Sequence, residues 1–245
     1  MSKTLVIELR NAIEKAAGGR PPEPERRYHK HENYLCYGLK AREFDNILME
    51  FRPRFLKLPL QERLNLADHL LKERVGELSH TGIHILIISV DELSPDHFGF
   101  LDHIFEYFSS WSHVDHLCIY LLKPLLYNYR QETLELLQIW NRSTNKWKRR
   151  ASVVAFVRQV GKSGEFTDQV IRMCENLVQD SDDIVRKGVG WALKDNLKSA
   201  PDRILPYIKD LRRRGVSSVI TLYAIRDLKG AKRKDILALK KSSSS

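Results

Sequence analysis

The sequence predicts an all-α fold in which successive helix pairs stack into a solenoid. Apolar residues recur at intervals of three or four along most of the 245-residue chain, which is the periodicity of helices with one buried face. Related segments also return after 36 and then 37 residues, starting at Trp111, Trp147 and Ile184. A period of this length leaves room for two helices and two turns, which is typical of helical-repeat proteins.

The apolar spacing places the helices in order along the chain. Predicted helices cover residues 4–16, 41–51, 60–73, 95–108, 113–127, 130–140, 145–160, 165–178, 183–197, 201–213 and 216–228. Glycines and prolines supply the expected stops, at Gly18, Gly19, Pro21, Pro22, Pro53, Pro59, Gly161, Gly164 and Gly215. Residues 18–33 are rich in proline and charge and are predicted to form a loop, and no segment alternates convincingly as a β-strand does.

The segment "DSDDIVRKGVGWAL" (180–193) resembles the second helix of a HEAT repeat. An acidic turn is followed by Val-Arg and by small residues that allow close helix packing. Stacked HEAT-like pairs form a curved solenoid with a long concave face, and we expect one such domain over residues 1–240 with a disordered tail at 241–245. Internal identity is low, so a non-repeating helical bundle remains an alternative.

Positive charge is concentrated in the C-terminal half. The chain has 41 Lys and Arg against 31 Asp and Glu, a net charge of +10. Residues 141–162 hold seven basic residues and no acidic one, whereas residues 75–122 hold no Lys or Arg. This distribution favours a basic concave face that binds a polyanion, most plausibly nucleic acid. The alternative is that the excess positive charge serves only to keep the protein soluble.

Several classes of protein are excluded. The longest apolar run, residues 83–90, is too short to cross a bilayer. The N-terminus reads as an amphipathic helix and not as a signal peptide, so we expect a cytoplasmic protein. Cys36, Cys118 and Cys174 are far apart, so a disulfide framework or zinc site is not expected. No P-loop, dinucleotide or nucleophile-elbow motif occurs, and we expect no cofactor.

Histidine pairs raise the alternative of a metal site. His80 and His84 are four residues apart, and His113 and His116 flank Asp115. Neither pair has a third ligand at metal spacing or an HExxH motif. We therefore expect no metal.

Tryptophans and charged residues coincide on the repeats. In "SSWSHVDHL" (109–117), Trp111 and Asp115 are four residues apart and share a helix face. In "NKWKRRASVV" (145–154), Trp147 and Arg150 are three apart. The segment "VRKGVGWALKD" (185–195) contains Trp191. These tryptophans lie on corresponding second helices. Trp111 taken alone is more often a core residue, and the fourth tryptophan, Trp140, is expected to be packing.

The three segments, in this order and spacing, resemble the signature segments of the AlkD-like DNA alkylation repair glycosylases. Upstream, "RRYHKHENYLCYGLKAREFDNIL" (26–48) is similar to an early Tyr-containing segment of that family, and the resemblance covers roughly residues 5–228. It implies hydrolysis of the N-glycosidic bond of cationic N3- or N7-alkylated purines in duplex DNA, the first step of base excision repair.

The resemblance also assigns roles to single residues. It implies that Trp111 and Trp191 are an aromatic pair at the lesion, that Asp115 is the catalytic carboxylate, and that Arg150 contacts phosphate. It further implies that Tyr28 is a contact near the lesion. We expect the wider contact with duplex DNA to come from Lys146, Trp147, Lys148, Arg149, Arg150 and Lys187, since phosphate contacts position a protein on a duplex. The arginines at 212–214 and the basic residues at 232–234 are weaker candidates, since a solvated charged end is the more common explanation for them.

The chemistry makes sense of these residue types. A cationic alkylpurine is already a good leaving group, so the reaction needs no general acid. A carboxylate beside the deoxyribose stabilises the developing oxocarbenium and orients water, while indole faces attract cations. We therefore expect a monomeric, monofunctional glycosylase.

Two features depart from the family pattern. Ser110 replaces an aromatic residue, and "RRRGVSSVITLYAI" (212–225) lacks the expected Arg-Glu-Ala type of sequence. A non-catalytic HEAT-like scaffold that binds DNA or a protein is the alternative function, and the preferred adduct stays open.

Overall fold

The computed structural model describes residues 2–29 and 32–239. The tail predicted to be disordered, residues 241–245, lies outside this described part. The chain divides into two compact units, Met1–Tyr129 and Arg130–Ser245. The prediction of a single domain therefore stays a prediction, and each unit is described by itself.

The first unit contains seven α-helices in its described residues. They are α1 (Ser2–Ala16), α2 (Ala41–Leu56), α3 (Leu60–Lys72), α4 (Gly76–Ile87), α5 (Phe98–Ile104), α6 (Trp111–Leu117) and α7 (Lys123–Asn128). Helix α4 packs against α2, α3 and α6, so it forms the centre of this unit. A two-residue hairpin, β1 (Glu23–Pro24) with β2 (Leu35–Cys36), pairs antiparallel beside it, with Glu23 opposite Cys36.

The second unit is a regular succession of helix pairs. Its helices are α8 (Arg130–Asn141), α9 (Lys146–Val154), α10 (Arg158–Ser163), α11 (Thr167–Leu177), α12 (Asp183–Asn196), α13 (Pro201–Arg213), α14 (Ser218–Ala224) and α15 (Gly230–Ala238). Helices α8 and α9, α11 and α12, and α13 and α14 pack as pairs. The second helices α9, α12 and α14 also contact one another in a row, as do the first helices α8, α11 and α13. This packing confirms the all-α helical-repeat prediction.

Small residues permit the close approach of these second helices. A Cβ added at Gly190 of α12 would lie 2.7 Å from Tyr223 Cβ and 2.9 Å from the Ile220 carbonyl oxygen of α14. A Cβ at Gly188 would meet only side-chain atoms of α9, at 3.3–3.4 Å. The glycines of the "GVGW" segment thus allow α12 to pack between its two neighbours, as the repeat pattern predicts.

Two predicted stops are wrong. Pro53 lies inside α2, which continues to Leu56 while burying Phe51 and Phe55. Gly161 lies inside α10, and the helix ends at Gly164, whose φ of 76° is left-handed. A proline weakens a helix locally, but in α2 the helix still continues with its apolar face in the core.

Other helices are divided more finely than the periodicity predicts. The predicted helix 95–108 consists of α5 between two 3₁₀ turns, Pro95–His97 and Phe105–Tyr107. The predicted helix 145–160 is broken between α9 and α10, at Ala155–Val157. Trp140, predicted to be packing, is fully buried, and that prediction is confirmed.

Within residues 2–29 and 32–239, no helix has the length and apolar character needed to span a membrane.

Candidate functional site

Trp111 and Asp115 lie on the same short helix of the first unit. Trp111 is the first residue of α6 and is half-buried, and Asp115 is 8% exposed one turn later. Ser110 caps this helix, since its Oγ accepts a hydrogen bond of 3.0 Å from the backbone N–H of Ser112. The cap satisfies one of the free donors of the first turn and fixes where the helix begins. The structure therefore places the indole and the carboxylate on one face, as their spacing predicts.

A π-helix, Cys118–Leu122, follows α6 directly and leads into α7. The extra residue per turn shifts the register of the side chains between α6 and α7. Such π-helical segments are rare and often mark functional sites. The sequence pattern predicts one continuous helix over 113–127 and gives no indication of this shift.

The segment that precedes α2 packs against Trp111. The imidazole of His29 stacks on the indole, with ring centroids 5.4 Å apart and an interplanar angle of 20°. His29 Nδ1 lies 2.5 Å from Glu32 Oε2 and 3.2 Å from Ser110 Oγ. The capping serine of α6 and the stacking imidazole are thus directly connected.

A group of three imidazoles, one fully buried and two half-buried, lies behind this face of α6. His80 Nε2 is 3.1 Å from Ser112 Oγ, and His80 Nδ1 is 3.3 Å from His116 Nδ1. His113 is fully buried, edge-on to His80 with centroids 4.8 Å apart. Burial lowers the pKa of His80 to about 3 and that of His116 to about 4, and it holds the pKa of His113 well below its usual value. These side chains are therefore neutral at pH 7.

The predicted contact residue Tyr28 is on the surface. It is 63% exposed, and the Arg27 guanidinium lies 5.0 Å from its ring centroid. The Glu25 carboxylate accepts hydrogen bonds from the backbone N–H groups of Arg27, Tyr28 and His29, at 2.7, 2.9 and 3.2 Å. This clamp holds the short turn and leaves the phenol ring free to contact another molecule.

Trp191 is the corresponding partly exposed aromatic side chain of the second unit. It is half-buried on α12, and the predicted DNA contact Lys187 is exposed one turn earlier on the same face. The guanidinium of Arg158 lies over the indole, 5.4 Å from the ring centroid. Arg158 has a φ of 57°, a conformation that costs free energy in a residue with a side chain. The buried carboxylate of Asp195 holds it there by accepting a 2.7 Å hydrogen bond from the Arg158 N–H.

The basic run at the start of α9 is less exposed than its charge predicts. Trp147 is only 7% exposed, and the Lys146 ammonium lies 4.8 Å from its ring centroid. Lys148 is 9% exposed and Arg150 only 4%. Arg150 Nη1 donates a 2.6 Å hydrogen bond to the carbonyl oxygen of Ile184 and so joins α9 to the start of α12.

Arg149 is fully engaged within the second unit. Its Nε and one Nη2 donor bind Asp180, at 2.6 and 3.2 Å, and the other Nη2 donor binds Asp182 at 2.7 Å. Its Nη1 donates to the carbonyl oxygens of Ser143 and Thr144. A guanidinium has five N–H donors, and these bonds use all of them. Arg149 therefore ties together the turns that precede α9 and α12.

The histidine pairs considered for metal binding do not form a ligand set. Among residues 2–29 and 32–239, no three His, Cys, Asp or Glu side chains come close enough together to hold a metal ion.

A family model described as DNA alkylation repair enzyme matches residues 9–228. The chain belongs to this DNA alkylation repair enzyme family. The match spans nearly all of α1 to α14 and includes every predicted site residue in both units. Among proteins with curated functions, none matches this sequence.

Two solved structures resemble this member of the DNA alkylation repair family. One is described as a predicted DNA alkylation repair enzyme from Enterococcus faecalis, with a TM-score of 0.73, 15% identity, and coverage of 90% of this chain and 96% of that one. The other is the Pseudomonas fluorescens alkylpurine DNA glycosylase AlkC bound to DNA containing an abasic site analog. It has a TM-score of 0.58 and 16% identity, and the match covers 92% of this chain and 61% of that one. At these identities the likeness concerns the fold.

Two residues of this family member stand out only in the structure. His29 lies within the quoted segment "RRYHKHEN" but has no feature in the sequence that predicts its stacking on Trp111. Arg158 is counted in the basic run, yet only its left-handed backbone and its place over Trp191 distinguish it from other arginines.

Proposed function

We propose that this chain is an AlkD-like DNA glycosylase that releases cationic N3- or N7-alkylated purines from duplex DNA. The observation that carries the proposal is the pairing of an indole and a buried carboxylate on one capped turn of α6, in a chain of the DNA alkylation repair family. Asp115 is the proposed catalytic carboxylate. Trp111 and Trp191 each offer an indole to the lesion.

The proposed reaction is hydrolysis without covalent catalysis. As the N-glycosidic bond breaks, its electron pair leaves with the base, whose positive charge is thereby neutralised. Cationic character then develops on the deoxyribose, where Asp115 stabilises it and orients the water that attacks C1′, and the proton that this water loses passes to solvent. A carboxylate that is only 8% exposed acts on that charge with less solvent screening than a surface acid has.

The indoles of Trp111 and Trp191 are also proposed to stabilise positive charge at the lesion. The π-face of a tryptophan attracts a cation, by about 0.5 kcal/mol at exposed sites and about 2 kcal/mol when the pair is desolvated. Trp191 already has the Arg158 guanidinium over its ring, so this ring attracts a cation in the free protein. The exposed phenol of Tyr28 is a further proposed contact with the DNA near the lesion.

Contacts to the phosphates are proposed to come mainly from the cations that the second unit leaves accessible. Lys187 and Arg158 are exposed, and Lys146 is partly so. Arg150 and Lys148 remain proposed contacts from buried positions. We give Trp147 a packing role because its indole is buried, and Arg149 a structural one because all its donors are engaged. Both assignments depart from the prediction that these residues contact DNA.

The protein is proposed to act as a monofunctional monomer, without metal or cofactor. Since its proposed substrate is chromosomal duplex DNA, we place it in the cytoplasm, associated with the nucleoid. The adduct size that it accepts is left to experiment.

The test compares base release with DNA binding. Wild-type protein and Asp115→Asn are incubated with duplex DNA containing one N7-methylguanine, and the free base is quantified. We expect Asp115→Asn to lower the single-turnover rate by about 10²- to 10³-fold while the dissociation constant for the same duplex changes less than about twofold. Equal rates for the two proteins would remove Asp115 from catalysis. Tight binding without release by wild type would favour the non-catalytic scaffold.

A further inference from the structure

The loop over residues 18–33 buries one side chain in its described part, that of His29. Among the described residues of this segment, 18–29 and 32–33, every other side chain is exposed or half-buried. His29 is 6% exposed, and its ring contacts Tyr34, with centroids 4.2 Å apart, as well as Trp111. A polar loop that buries a single imidazole is anchored by it.

The indole of Trp111 needs support from outside its own helix. Trp111 is the first residue of α6, which has only seven residues. The side chain of a helical residue covers the turn before its own Cα, and no turn of α6 precedes Trp111. The plane of the indole must therefore be set by a neighbouring segment. The imidazole of His29, inclined by only 20° to the indole, is that neighbour.

The imidazole is itself held in place by two hydrogen-bonding contacts. Its Nδ1 lies 2.5 Å from Glu32 Oε2, and both side chains of this pair are largely buried, at 7% and 11% exposure. The same nitrogen is 3.2 Å from the Oγ of Ser110, the residue that caps α6. Burying a carboxylate costs free energy unless it is paired. The contact between Glu32 and His29 therefore compensates for the burial of Glu32 and is not a casual contact between two surface charges.

We propose that His29 and Glu32 are positioning residues, which set the plane of the Trp111 indole for the lesion. The ring of His29 provides the stacking surface, and Glu32 fixes the rotation of that ring. The inference rests on the proposed function for its effect on base release, but the effect on the indole itself can be measured without DNA.

The experiment uses variants of the full-length protein that separate the ring from the hydrogen bond. His29→Asn keeps a donor close to the position of Nδ1 but removes the stacking ring. Glu32→Ala removes the acceptor, and Glu32→Gln restores an acceptor without the charge. The matched control is His69→Asn, which changes a histidine of α3 with 59% side-chain exposure.

The first readout is the motion of Trp111. Its emission is isolated as the difference between each protein and the same protein carrying Trp111→Phe, and its time-resolved anisotropy is recorded. Unrestrained side chains reorient on the picosecond to nanosecond timescale. We expect a fast component to appear in His29→Asn and Glu32→Ala, and not in Glu32→Gln or the control.

The second readout measures two quantities separately on a duplex that contains N7-methylguanine. They are the single-turnover rate of base release and the dissociation constant. We expect His29→Asn and Glu32→Ala to lower the single-turnover rate by about tenfold, since small displacements of catalytic groups slow a reaction strongly. The dissociation constant should change less than about twofold, and Glu32→Gln should recover most of the rate.

The outcomes distinguish this inference from the proposed function. If wild type releases no base, the proposed function fails, and the anisotropy alone decides whether His29 and Glu32 position Trp111. If wild type releases base but the variants leave both the anisotropy and the rate unchanged, the positioning inference is overturned. Should His29→Asn fail to fold, the comparison of Glu32→Ala with Glu32→Gln decides it by the same two readouts.

Discussion

The two compact units differ sharply in charge. Residues 1–129 contain 16 Lys and Arg against 18 Asp and Glu, a net charge of −2. Residues 130–245 contain 25 against 13, a net charge of +12. All nine histidines lie in the first unit. The indole–carboxylate pair of α6 thus lies in a weakly acidic, histidine-rich region, and the cation-rich helices belong to the other unit.

This difference separates two tasks that a DNA glycosylase must perform. Holding a duplex requires accessible cations, whose contribution is long-range and depends on salt. A carboxylate can stabilise a cationic sugar, and positively charged neighbours would weaken its effect. The imidazoles behind α6 are neutral at pH 7 because burial lowers their pKa values. We therefore propose that the first unit mainly supplies the catalytic groups and that the second unit mainly supplies the contacts to the DNA backbone.

The largest expected effect that distinguishes the units is the loss of stability in acid. The folded-state pKa values of His80 and His116 are about 3 and 4, and that of His113 is also lowered. An unfolded chain titrates near 6.5, so between these values it binds more protons than the folded chain. Stability should therefore fall as the pH drops below about 6.5, by up to about 1.4 kcal/mol per pH unit for each group.

Chemical unfolding curves at pH 7.5, 6, 5 and 4.5 would measure this loss. His113→Leu should make the dependence shallower, whereas His69→Asn, a change at an exposed histidine, should not. An equally steep loss in His113→Leu would contradict the assignment to these imidazoles.

The second unit should instead be sensitive to steric change at its glycines. Gly190→Ala introduces a Cβ that would lie 2.9 Å from the backbone oxygen of Ile220, an atom that cannot move aside cheaply. We expect a loss of about 1–3 kcal/mol in the free energy of unfolding, as for other overpacked sites. Gly188→Ala meets only side-chain atoms at 3.3–3.4 Å and should be nearly neutral. Equal melting temperatures for the two variants would contradict this packing.

The two indoles provide a comparison in which the units should behave alike. Trp111→Ala and Trp191→Ala each remove one cation-attracting face, worth about 0.5–2 kcal/mol, which corresponds to a decrease of roughly 2- to 30-fold in the base-release rate. Single-turnover assays at saturating protein would measure it. An unchanged rate for one of them would restrict lesion recognition to the other unit.

The smallest effect concerns the cations of the second unit. Lys187→Ala should weaken binding several-fold and reduce the slope of log K against log salt by about 0.9, the value expected for one phosphate contact. The rate of the bound complex should stay unchanged. Titrations at several salt concentrations would test this, with Lys15→Ala, in the last turn of α1, as the control. An unaltered slope would remove Lys187 from the interface.

Much of the fold could be predicted because most helices bury one face. The spacing of apolar residues located α1, α3, α8 and α13 almost to the residue. Helix α4 was not predicted as a helix, because nine of its twelve residues are buried and the others, His80, His84 and Ile87, form only a narrow stripe. Helix α15 was also missed, since only Ile236 of its residues is buried.

The site was predictable in part. Spacing correctly placed Trp111 and Asp115 on one turn, since helical periodicity depends only on sequence separation. It could not tell that Trp147 is buried while Trp191 is partly exposed, because that depends on which helices pack beside each residue. For the same reason the sequence could not show that carboxylates 31 and 33 residues away accept hydrogen bonds from Arg149.

The central claim is that this protein breaks an N-glycosidic bond, and the most direct test is the fate of a single N7-methylguanine in a duplex. After incubation with wild-type protein, mass spectrometry of the solution and of the DNA identifies both products. We expect free 7-methylguanine together with an abasic site in an unbroken strand. An intact lesion that stays in the duplex after prolonged incubation with excess protein would contradict it.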